Sequence, residues 1–158
     1  MRRIISSALV ASVGLVAVTG CTSTRDDSSE ASVSRDGVNA AYRASIAELK
    51  FPRGYAPPRT VADIDDDPAG TTYQETYGDT RAHFVWQCAW EQEWLDARDS
   101  DPVEAELALG QLGTASSMAY LADSRADDAT RGFLAENLEK ARLGDPSGMQ
   151  EDVDVNCS

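Results

Sequence analysis

Lysine is nearly missing from this chain. Of 14 basic residues among 158, only Lys50 and Lys140 are lysines, and His83 is the single histidine. Against 27 acidic residues the formal net charge is -13. Affinity for nucleic acid comes mainly from basic side chains displacing counterions from phosphates, so this surface excludes a nucleic-acid partner. A lone histidine has no second imidazole with which to build a zinc site. Nor does the chain offer a nucleophile-elbow motif for His83 to serve as base. No catalytic constellation and no cofactor motif is present, so the expectation is a protein that is not an enzyme and carries no cofactor. Long alternating apolar–polar stretches and internal repeats are also missing, which argues against a β-sandwich or a solenoid. What remains, with 42% hydrophobic and 26% charged residues, suits one small domain with a core of its own.

Long apolar runs are lacking too, save one. Ile4 to Val18 holds no charge and follows Met1, Arg2 and Arg3. That run is short of the roughly 20 residues needed to span a bilayer, and behind two arginines it reads as an export leader. Val18-Thr19-Gly20-Cys21 then resembles the lipobox of bacterial lipoproteins: an apolar residue, two small residues and a cysteine. The resemblance covers residues 1–21. It implies cleavage after Gly20, a diacylglyceryl thioether on Cys21, and attachment to the extracytoplasmic face of the cell membrane. Two acyl chains hold a protein stably where one holds it marginally. Other readings of the pattern are an ordinary secretory leader cleaved near Ala17 or Gly20, and an uncleaved signal anchor. The domain organisation expected is a leader over 1–20, a lipidated cysteine and solvated tether over 21–36, and a helical extracytoplasmic domain over 37–158. Residues 22–36 are almost wholly polar, and about 15 flexible residues reach on the order of 20 Å.

With Cys21 assigned to lipid, Cys88 and Cys157 are an even pair in an oxidising compartment, and a disulfide is the expectation. A buried free thiol at Cys88 with a loose Cys157 is the alternative. The fold class expected is mostly α: a small four-helix domain with a long irregular loop and one disulfide. The first helix runs from about Gly37 to Lys50, with Asp36 as N-cap and Pro52 ending it. The second runs from about Asp79 to Arg98, apolar around most of its circumference and therefore central. Asp101 and Pro102 open the third, in which Gly110 and Gly113 predict either close packing or a break before Ser124. Asp127 or Asp128 opens the fourth, over 129–143, with Gly144 and Pro146 as stops. Residues 145–158 read as a polar tail.

Binding residues are expected where the aromatics gather. Phe51, Tyr55, Tyr73, Tyr77, Trp86, Trp90 and Trp94 lie in one stretch with Phe84. Trp and Tyr serve both ligand pockets and partner hot spots, though tryptophans at helical spacing also serve as core. Asp63, Asp65 and Asp67 resemble the opening of a calcium loop, which then fails at Pro68 and Gln74 where Gly and Glu are required. They are a weak calcium candidate against a solvated acidic turn. Glu91 and Glu93 are two apart on a helix and diverge, which disfavours a paired-carboxylate hydrolase. The function expected is a membrane-anchored envelope lipoprotein acting as a non-catalytic binding or protein-interaction module, with an envelope protein as its partner. The alternative is a binder of a small ligand or calcium; a small envelope hydrolase ranks last.

Overall fold

The computed structural model describes residues 32–65, 67–68 and 70–157. The leader, Cys21 and the tether up to residue 31 lie outside the described residues, as does Asp66. Within them the chain is mostly helical, with five α-helices, one two-stranded sheet and one disulfide. The helices are α1 (Arg35–Glu48), α2 (Tyr77–Ala97), α3 (Pro102–Leu112), α4 (Asp128–Arg142) and α5 (Ser147–Asn156).

The central place expected for the second helix is where α2 lies. It packs against α1, α3 and α5, while α4 closes on α5 and α3. Trp86, Trp90 and Trp94 are all buried, in a core completed by Ala105, Ala108 and Leu112 of α3, Leu134 and Leu138 of α4, and Met149 of α5. A smaller core joins Val38 and Tyr42 of α1 to Val61, Tyr73, Ala82 and Val85. α1 meets α2 through Gly78. A methyl group there would collide with the Val38 carbonyl and the Tyr42 backbone nitrogen, so the two backbones approach at a distance only glycine permits.

Local chemistry sets the helix ends. Asp101 accepts from the amides of Val103 and Glu104 at 3.2 Å, with Pro102 as the first helical residue, as the sequence predicts. Asp127 caps α4 through Thr130 N at 2.8 Å, and Gly144, at φ 84, ends it. At α1 the cap is Ser34, not Asp36. Ser32–Val33 pairs as a short antiparallel strand with Tyr73–Gln74, so the tether reading fails over its last residues, which belong to the fold. α3 stops at Gly113 and two single 3-10 turns follow, Ala115–Ser117 and Ala119–Leu121.

Of two further segments, the long loop is as expected and the C-terminal tail is not. The long stretch after Phe51 is irregular but tied down: Trp86 and Trp90 both donate their indole N–H to the Lys50 carbonyl, at 2.8 and 2.9 Å. Tyr42 donates to the Pro58 carbonyl at 3.0 Å and the Val61 amide to Asn39 at 2.9 Å. The expected polar tail is instead α5, the fifth helix. Its buried face holds Gly148, Met149 and Asp152, so a carboxylate stands where an apolar residue would have revealed the helical period. Cys157 follows it directly and bonds to Cys88 on α2, with Cα atoms 5.5 Å apart.

Candidate functional site

Glu91 is fully buried, at 0% exposure, in the middle of α2. Its neighbour across the helix interface is not Glu93 but Asp152 of α5, itself buried. Gln87, one turn before Glu91, donates its amide to both carboxyls, at 3.0 Å to Glu91 and 2.9 Å to Asp152. The Gln87 carbonyl in turn accepts from Tyr120 Oη at 2.9 Å, and Asn156 donates to the other oxygen of Asp152 at 2.6 Å. Among the described residues no N–H or O–H donor reaches Glu91 Oε2. Two neighbouring carboxyl groups buried in a dry site cannot both ionise without strong like-charge repulsion. Burial, then the charge and hydrogen bond of Asp152, push the Glu91 carboxyl up to about 9. Glu91 is therefore the protonated partner at neutral pH. Burial, with the nearby acids, also raises the Tyr120 phenol, which stays a neutral donor.

This network is the floor of a groove of about 450 Å³ between α2, the 3-10 turn at Tyr120, α4 and α5. Gln87, Tyr120, Asp152 and Asn156 supply its polar base, while Phe84, Leu121, Phe133 and Leu134 supply apolar walls. Phe133 is 42% exposed at the rim. Phe84 meets Tyr120 edge-on at 5.9 Å, and His83 stacks on Tyr120 at 5.0 Å. Glu91 lies beneath the groove and does not line it. A protonated acid sealed under its own network can orient Asp152 and Gln87, but it cannot reach a substrate.

The residues singled out in the sequence are placed differently. Trp86, Trp90 and Trp94 are core. Tyr73 is buried and stacks on Tyr77 at 5.1 Å. Phe51 stacks on Tyr55 at 5.4 Å, and Tyr55, 40% exposed, lines two depressions of about 310 and 230 Å³, both of which also touch the disulfide. Of the expected binding residues, Tyr55 and Tyr77 reach both surface and cavity; Tyr77, half-buried, lines a depression of about 560 Å³ with Thr76, Thr80 and Arg125.

The acidic turn does not gather its carboxylates. Asp63 caps the 3-10 turn Val61–Asp63, accepting from Thr60 Oγ1 at 3.0 Å, Thr60 N at 2.9 Å and Arg59 N at 3.1 Å, and these hydrogen bonds, the Thr60 hydroxyl first, hold its carboxyl below the usual range. Asp65 takes the Tyr77 hydroxyl at 2.9 Å and Arg81 at 2.9 Å. The Asp67 backbone carbonyl accepts from Arg35 at 2.7 Å. Among the described residues no group of three or more His, Cys, Asp or Glu side chains could hold a metal ion.

His83 belongs to another polar cluster. Its Nδ1 lies 2.8 Å from the Asp79 carbonyl, and Asp79 pairs with Arg125 at 2.6 Å and accepts from Ser45 at 2.9 Å. Partial burial opposes ionisation of Asp79, but the bonds from Arg125 and Ser45 prevail and lower its carboxyl. This is an interhelical clamp binding α1, α2 and the segment before α4. No described helix is long and apolar enough to cross a membrane.

Sequence reasoning missed the groove because its two carboxyls come from segments far apart in the chain, one of them read as a tail. The disulfide was the available signal: it sets the residues before Cys157 against α2 and brings Asp152 within reach of Glu91. No protein-family model, no curated protein and no solved structure matches the chain.

Proposed function

We propose that this chain is a lipid-anchored extracytoplasmic binding protein that takes a small ligand in the groove between Phe84, Phe133 and Asp152. The lipobox resemblance at Val18–Cys21 supports the anchor. A disulfide between Cys88 and Cys157 agrees with an oxidising compartment. For binding, the observation that carries the reading is the groove itself: a concave apolar site with a few convergent polar groups at its base is the ordinary form of a small-molecule site. It moves the small-ligand reading ahead of the protein-interaction reading, since the tryptophans that would have served as hot spots are in the core. Calcium recedes, with the Asp63 and Asp65 carboxylates already engaged by the fold. A hydrolytic role for Glu91 recedes with its burial.

The test is an amide-resolved NMR titration with benzyl alcohol and similar uncharged fragments. Perturbations are expected to converge on residues 129–134, 152 and 156 and to be lost in Phe133→Ala, a rim substitution that leaves the core intact. Perturbations confined to the Tyr55 depressions, or none at all, would overturn the assignment.

A further inference from the structure

The groove has a marked charge imbalance. Among the described residues its lining contains one charged side chain, Asp152, and no lysine or arginine. The two arginines close in sequence are engaged elsewhere: Arg125 with Asp79, and Arg131 with Asp128 and Asp123. Glu91, below Asp152, keeps its proton and so offsets none of the groove's negative charge. Asn156 at the rim closes α5, and the C-terminal end of a helix carries partial negative charge from its unsatisfied carbonyls. The opposing N-terminal end of α4, at Ala129 and Thr130, is already neutralised by the Asp127 cap and by Asp128 in its first turn. Above this floor stand the rings of Phe84 and Phe133, whose faces attract cations through the ring quadrupole.

We infer that the groove selects an alkylammonium ligand, with its cationic head between Asp152 and the phenyl rings and its hydrocarbon part along Leu121 and Leu134. The inference rests on the groove being the binding site and adds the chemistry it chooses. A carboxylate alone would take any cation, and an aromatic wall alone any apolar body. Together they favour a positive charge spread over methyl or methylene groups, which loses little hydration on entry.

Choline and 3,3-dimethylbutan-1-ol are matched probes, equal in shape and differing by the charge at one atom. NMR titration of the folded chain with each is expected to perturb the same groove residues, with choline about tenfold tighter, the range of a partly desolvated cation–π contact plus an ion pair. Asp152→Asn should bring the two affinities together. Rising NaCl should weaken choline and spare the alcohol, a comparison that stands even if Asp152→Asn does not fold. Equal affinities in the groove would overturn the alkylammonium inference and leave the groove assignment in place. Silence from both probes would overturn both. Choline shifts at Asp63 and Asp65 instead of the groove would mark general attraction to an acidic surface and overturn the inference as well.

Discussion

Replacing Glu91 by glutamine should make the protein more stable at neutral and alkaline pH. In the folded chain Glu91 keeps its proton up to about pH 9, from an ordinary value of 4.5, because burial and Asp152 disfavour its charge. The unfolded chain gives that proton up near the ordinary value. Below pH 4.5 both states hold the proton and the folded state loses nothing. Between pH 4.5 and 9 the unfolded state alone is ionised, and stability falls by about 1.4 kcal/mol per pH unit. From pH 5 to pH 7 the loss is on the order of 3 kcal/mol, a large share of what a small domain has. The substituted amide would still donate a hydrogen toward Asp152 while carrying no titrating proton. Urea unfolding at pH 5, 7 and 8.5 is the assay. The wild-type midpoint is expected to drop by about 1–2 M between pH 5 and pH 7, and that of Glu91→Gln to stay nearly level. Parallel curves for the two proteins would refute the protonated-Glu91 reading.

Three further outcomes are expected. Cys88→Ser, Cys157→Ser and the double variant should each lose about 4 kcal/mol, with no added loss in the double, because one bond closes one loop; chemical denaturation of the three measures it. Gly78→Ala should cost about 1–3 kcal/mol, since its methyl meets backbone of α1 that cannot rotate away, and a thermal melt against wild type shows it. Cys21→Ala in the full chain should move the protein from the membrane fraction to the soluble fraction with an unchanged circular-dichroism spectrum; retention in the membrane would refute the lipobox assignment.

Much of this fold was legible where a single residue carries a local signal. Asp101-Pro102, Asp127 and Gly144 mark helix ends by chemistry that needs no tertiary context, and the structure places the ends there. The tryptophan spacing announced a helix with partners on several sides, and α2 has three. Legibility failed where burial and polarity part company. α5 hides Asp152 in its inner face, so its pattern looks solvated. Glu91 likewise reads as a surface acid until Asp152 and Gln87 are seen around it. Ser32 and Val33 gave no strand signal because two residues cannot show a period; their pairing is decided by where Tyr73 comes to rest.

The disulfide also divides the molecule mechanically. Cys88 sits in the middle of α2 and Cys157 at the end of α5, so α3, α4 and α5 lie within one covalent ring while α1 and the strand at Ser32–Val33 lie outside it. A protein held at its N-terminal end and drawn by whatever occupies its groove would bear the load first on that two-residue ladder, then on the seam between α1 and Gly78. Those elements would peel before the ring could open. Tyr120, Phe133 and Asp152 all lie inside the ring, so under tension the molecule would lengthen at its N-terminal side while much of the groove stayed closed.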